Sequence, residues 1–159
     1  MIDIRALFEY NWYCRRKFLE SMAKLPWEKV IEDRGASFGS IRNVFLHSLD
    51  AEESWLKALA SGKRDKESSK GYERSFENIK TMEKYMNDVE TESRAALAKL
   101  IPAQLDKEFP RGKNKFRIED LLVHVVEEEI HHRGELICLM WQIDFEPPYK
   151  SYMSYLLKE

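Results

Sequence analysis

Cysteine is nearly absent from this chain: Cys14 and Cys138 stand alone, with no C-x-x-C pair. Two isolated cysteines argue against a disulfide and for buried thiols in a reducing cytosol. Glycine and proline are scarce too, six and five among 159 residues, which rules out collagen-like and low-complexity classes. No long basic run is present and the formal net charge is −2. Nucleic-acid binding by phosphate neutralisation therefore has no electrostatic footprint. No apolar run approaches the roughly 20 residues that span a bilayer. The opening residues, Met-Ile-Asp-Ile-Arg-Ala-Leu-Phe-Glu, contain acidic groups and no apolar signal core, so a cytoplasmic protein is expected. What remains is 43% hydrophobic and 34% charged, the composition of one globular helical domain over residues 1–159.

Helical periodicity divides the chain into four long amphipathic segments and a short tail. The first runs from about Ile4 to Leu25 and stops at Pro26. Ser37 is the candidate N-cap of a second, from Phe38 to Ala60, which ends at Ser61-Gly62. Lys63 to Lys70 reads as a polar linker. A third helix is predicted from about Tyr72 to Leu100, because Pro102 disfavours helical geometry at Ile101. Pro110-Arg-Gly-Lys-Asn reads as a turn or short extended loop, with Asn114 the candidate cap of the fourth helix. That helix continues to about Ile143 and is ended by Pro147-Pro148, leaving Tyr149 to Leu157 for a final short helix. Four such segments predict an all-α, four-helix-bundle fold. Linker length alone leaves the connectivity open: about ten residues reach at most about 33 to 36 Å, which makes a crossover along the bundle taut.

The fourth helix holds the chemistry. His124-Val-Val-Glu-Glu-Glu-Ile-His131-His132-Arg-Gly-Glu gathers three of the four histidines into one stretch. On a wheel at about 100° per residue, Leu121, Leu122, Val125, Leu136, Leu139, Met140 and Ile143 share one side with Ile118. Glu129 and His132 fall on that same stripe, so one ionisable turn interrupts an apolar face. Buried charge must be paired, neutralised or bound to metal. Glu129 and Arg133, at i and i+4, can neutralise one another, which leaves Glu128 and His132 to share a cation. His47, far away on the second helix, can complete a three-point site. A register-fixing hydrogen-bond network is the alternative for this layer. His124 is expected beside the site rather than in it, and His131 on the outer surface. Glu52 is either an interhelical ion-pair partner or an acceptor behind a ligating histidine. Trp55, Trp141 and Tyr149 are candidates for either cavity wall or core.

His47-Ser-Leu-Asp-Ala-Glu-Glu-Ser-Trp, followed later by His-x3-Glu-x2-His-His-Arg-Gly-Glu-Leu, resembles the DinB/YfiT-like superfamily of metal-dependent enzymes over nearly the whole chain. The resemblance implies a four-helix bundle with up-down-down-up connectivity, commonly dimeric, holding a divalent zinc or nickel ion. It places the ligands at His47, Glu128 and His132. Most relatives carry histidine where Glu128 stands, but the mycothiol-dependent maleylpyruvate isomerase branch looks similar in using a His, Glu, His set. Glu135 occupies a position where relatives often carry glutamine. Relatives with assigned activities are thiol-dependent transferases and isomerases. The expectation is therefore a metal-dependent transferase that conjugates a low-molecular-weight thiol to an electrophilic small molecule. Its rivals are a metal-dependent hydrolase with Glu129 as the nearest base, and a non-catalytic, stress-related metal-binding or scaffold protein. A homodimer is expected from the resemblance, with the aromatics of the first helix (Phe8, Tyr10, Trp12, Tyr13 and Phe18) offering apolar surface for it.

Overall fold

Polar side chains cap three of the four long helices at their start, and a glycine closes one of them. The computed structural model describes residues 3–62, 72–148 and 151–158. Its helices are α1 (Ile4–Met22), α2 (Trp27–Ile31), α3 (Ile41–Ser61), α4 (Ile79–Lys99), α5 (Pro102–Leu105), α6 (Ile118–Trp141) and α7 (Tyr152–Leu157). Asp3, Ser40 and Asn78 each accept a hydrogen bond from a backbone N–H of the first turn of α1, α3 and α4. These bonds satisfy donors that have no partner within the helix. Gly62 ends α3 in the left-handed region at φ 76, where a side chain would be strained.

Several boundaries differ from those read off the sequence. The second long helix is capped by Ser40, and Ser37 is engaged elsewhere. Regular helix in the third segment starts at Ile79, after a 3-10 turn at Tyr72–Ser75. The linker expected at Lys63 to Lys70 lies outside the described residues. Asn114 opens a strand, not a helix: β1 (Glu108–Arg111) pairs antiparallel with β2 (Asn114–Arg117), Arg111 facing Asn114. The two-residue turn places Gly112 first at φ 63, the position where a type II′ hairpin takes glycine. Phe109 anchors the hairpin by burying its ring in the core.

Side-chain pairs give the direction of each helix. Asn11 and Arg15 on α1 meet Val126 and Glu129 on α6, so these two run parallel. His47 and Trp55 on α3 meet His132 and His124 on α6 in the reverse order, so this pair is antiparallel. Tyr85 and Glu92 on α4 meet Glu53 and Lys57 on α3, again parallel. Arg94 and Glu90 on α4 bind Glu9 and Arg16 on α1 in reverse order. The four long helices therefore run up, down, down, up.

The core is split in two. One apolar cluster gathers Phe18, Met22, Ile41, Phe45, Leu49, Met82, Met86, Leu136 and Met140. The other gathers Phe8, Trp12, Trp55, Leu56, Leu97, Leu121, Leu122 and Val125. Each large apolar side chain buried here contributes about 1.5–3 kcal/mol of transfer free energy. Between the clusters lies the ionisable layer foreseen on α6, and its partner is one the sequence reading missed. Arg15, 1% exposed, donates to Glu129 at 2.6 Å and to Glu52 at 2.8 Å. Trp12 Nε1 donates to the other Glu52 oxygen at 2.9 Å. Glu52 is thus an interhelical ion-pair partner. The expected Glu129–Arg133 pairing gives way to Glu129–Arg15; Arg133 instead donates to Asn11 at 3.1 Å and lies over the Tyr10 ring.

The aromatics of α1 are largely consumed within the chain itself. Phe8, Tyr10, Trp12 and Phe18 are buried, and Tyr152 and Tyr155 of α7 pack on Tyr10 and Tyr13. Among the described residues, the large exposed apolar side chains lie mainly on α6 and α7: Val123, Ile130, Trp141, Met153, Leu156 and Leu157.

Burial by itself would raise the Glu129 carboxyl, but the guanidinium of Arg15 beside it reverses the balance and holds it below the ordinary carboxylate range. Replacing Arg15→Met alone leaves two buried carboxylates without their cation and is expected to cost about 3–5 kcal/mol in urea unfolding. The triple variant R15M/E52Q/E129Q should recover most of that loss. A carboxyl depressed by folding stabilises above its unfolded value, about 4.3, and that contribution fades as pH falls through the lower folded value. Wild type should therefore lose stability in acid more steeply than the triple variant.

Candidate metal centre

The sequence places His124, Glu128 and His132 at i, i+4 and i+8 along α6, so they rise up one flank of the helix. His47 reaches the upper part of that flank because α3 runs antiparallel against it. The Oε2 atom of Glu128 is 3.6 Å from His132 Nε2 and 3.9 Å from His47 Nε2. Donor atoms of all three residues lie within 4.8 Å of one another. These separations exceed an ordinary hydrogen bond. Ligands about 2.0–2.1 Å from one ion stand about 3.0–3.4 Å apart, so the two Glu128 contacts would each shorten by a few tenths of an ångström to close around it. Two imidazoles and one carboxylate are a donor set that suits a divalent transition-metal ion. The three residues singled out in the sequence are brought together.

Each member is oriented differently. His132 is buried, with Nδ1 3.1 Å from Glu135 Oε2, so its Nε2 faces Glu128. Glu135 also accepts hydrogen bonds from the Ser37 backbone N–H at 2.6 Å and the Ser37 hydroxyl at 2.8 Å. Partial burial raises the Glu135 carboxyl, but the Ser37 and His132 contacts outweigh it and the net direction is down. His47 is half-buried and stacked on Phe38, ring centroids 3.8 Å apart and planes 18° from parallel. Phe38 also meets His132 edge-on at 5.4 Å. Burial and the neighbouring His132 lower the His47 pKa, against the pull of Glu128, Glu135 and Glu73. A depressed pKa keeps this imidazole neutral, the form that binds metal.

The flanking residues take up other positions. His124 stands 3.9 Å from the second Glu128 oxygen, Oε1, and edge-on to Trp55. It also forms, with Glu127 and Glu128, a second and more exposed group of possible ligands. His131 is exposed, as expected. Trp55 is a core residue, Trp141 is exposed, and Tyr149 lies outside the described residues.

Arg15, Ser37 and Phe38 were not foreseen as parts of this neighbourhood. A signal existed for Arg15: Phe8, Trp12, Arg15, Phe18 and Met22 follow the i, i+4, i+7 register of a buried helical face. No local pattern marks Ser37 or Phe38, whose role comes from the meeting of a loop with α6.

The DinB family model matches residues 1–158 of the chain. The uncharacterized protein YizA of Bacillus subtilis is 23% identical over 158 residues, spanning 95% of this chain and 94% of that protein. The crystal structure of a DinB-like protein from Bacillus subtilis, YjoA, superposes with a TM-score of 0.67 at 19% identity. That match covers 90% of this chain and 96% of the other, and supports the fold.

In ion-free protein, His47 is expected to protonate below the ordinary histidine value of about 6.5, as read by NMR titration. The unfolded chain then takes up the proton first, so stability falls as pH drops from about 6.5 toward the folded value. Titration of His47 at or above the ordinary value would contradict the geometry described here.

Proposed function

From membership of the DinB family, to which this chain belongs, we propose that it is a divalent-metal protein with His47, Glu128 and His132 as the ligands and a thiol S-transferase as its activity. The observation that carries the reading is the convergence of two neutral-capable imidazoles and one carboxylate within 4.8 Å, drawn from two helices. Three protein ligands leave at least one position open to a small molecule, the plan of catalytic rather than structural zinc sites. A zinc or nickel ion at this point would lower the pKa of a bound thiol and hold the thiolate for attack on an electrophile. The residues around it orient and enclose. Glu135 turns His132 Nε2 toward Glu128, and Phe38 walls the site on the His47 side.

The rival readings draw less support. Hydrolysis needs a base close to the open position, and the nearest candidate, Glu129, is buried and bound to Arg15 with its carboxyl held low. A closed structural site needs a fourth protein ligand. Glu135 is committed to Ser37 and the far nitrogen of His132, and His124 approaches the outward oxygen of Glu128. The same proposal includes a cytoplasmic homodimer. Val123, Ile130 and Trp141 fall within about 20° on the α6 wheel and offer exposed apolar surface for a second copy.

Elemental analysis of purified protein should find about one divalent ion per chain, lost in His132→Ala. Mass spectrometry with a model electrophile should detect thiol adducts only with ion and thiol both present; turnover independent of either removes the transferase reading. Sedimentation should show a dimer that Ile130→Lys converts to monomer, whereas an unchanged dimer would place the interface elsewhere.

A further inference from the structure

The loop between α2 and α3 is internally hydrogen-bonded, and its Ala36 and Phe38 pack against the core. Arg34 N–H donates to the Gly39 carbonyl at 2.7 Å, and Gly39 N–H to that of Ala36 at 2.9 Å. Gly39 sits at φ +84, where an added Cβ would stand 3.3 Å from the Asp33 carboxylate. Asn43 of α3 donates to the Phe38 carbonyl at 2.9 Å. Toward α6, the polar anchor is Glu135, beside the edge contact of Phe38 with His132.

Glu135 gathers donors from two separate parts of the chain. Ser37 N–H donates to Oε1, while the Ser37 hydroxyl and His132 Nδ1 both reach Oε2. An ionised carboxylate only accepts, so the proton of a neutral His132 must sit on Nδ1 and the lone pair on Nε2. The same carboxylate fixes Ser37, and the next residue, Phe38, stacks on His47. One side chain thus binds both a candidate ligand and the residue next to the wall over the other histidine.

We propose that Glu135 is a positioning residue that couples the tautomer of His132 to closure of the 33–40 loop, so that ion binding and loop closure are one linked event. The ion's part in this rests on the metal site proposed above; the link between His132 and the loop does not. Linkage requires reciprocity: the factor by which an ion tightens the loop equals the factor by which a closed loop tightens the ion. Glutamine is the informative replacement. Its amide offers one acceptor oxygen and a donor NH2, so it cannot accept from all three partners.

In ion-free wild type, nitrogen-15 NMR should place the His132 proton on Nδ1, with slow exchange of the Ser37 amide. Glu135→Gln should move the proton toward Nε2 and speed Ser37 exchange about tenfold or more. Zinc added to wild type should slow Ser37 exchange. Ser37→Ala, which removes the hydroxyl arm and keeps the backbone one, should weaken zinc binding by up to that same factor, and E135Q by about 10–100-fold. An unchanged His132 tautomer in E135Q, or Ser37 exchange indifferent to bound zinc, overturns the proposal. If wild type binds no zinc while E135Q still shifts the tautomer and the exchange, the metal reading fails and the coupling of His132 to the loop stands.

Discussion

A guanidinium buried where three helices meet has to be neutralised without help from water, and at Arg15 two carboxylates do this. Glu52 and Glu129 approach from α3 and α6, so each helix contributes one arm of the same ionic contact. An uncompensated charge at this depth costs several kcal/mol, which makes the mutual arrangement of α1, α3 and α6 hard to alter. Trp12 adds an indole donor to Glu52 and carries Arg94 over its ring, extending the contact toward α4. The apolar clusters above and below supply burial energy; the ionic layer supplies register.

That register is what positions the candidate metal centre. Glu128 and Glu129 are adjacent in sequence and about 100° apart around α6. Glu129 turns inward to Arg15, which leaves Glu128 on the flank facing His47 and His132. A change in helix rotation that freed Glu129 would also carry Glu128 away from the imidazoles. The inner layer and the outer donor set are consequently two sides of one constraint, with the buried side holding the accessible side in place.

Legibility in the sequence followed the range of the interactions. The i, i+4 spacing of Glu128 and His132 is local, and so was the interruption of the α6 stripe by Glu129. The pairing of Glu129 was misread because Arg133 is near in sequence and Arg15 is not, although only Arg15 shares its buried layer. Pro110-Arg-Gly-Lys-Asn reads as a turn or short extended loop because the four-residue strands around it give little periodic signal, even though Gly112 carries the turn's conformational requirement. Ser37 looked like a helix cap because its residue type suits one; Ser40 took that place and Ser37 bonded to a carboxylate nearly a hundred residues away. The α1 aromatics suggested a partner surface, and α7 covered part of it from within the same chain.

By itself the sequence determined the helical class, the four long amphipathic segments and the presence of an ionisable turn within the last, because period and residue chemistry act over a few neighbouring positions. With the family resemblance it also singled out His47, Glu128 and His132. Tertiary structure alone decided which cation neutralises Glu129, that His47 comes within reach of the α6 pair, and that a loop serine and phenylalanine close around them. Those outcomes depend on the direction and rotation of whole helices, which are set by burying every charge beside its counter-charge at once, and no short stretch of chain contains that information.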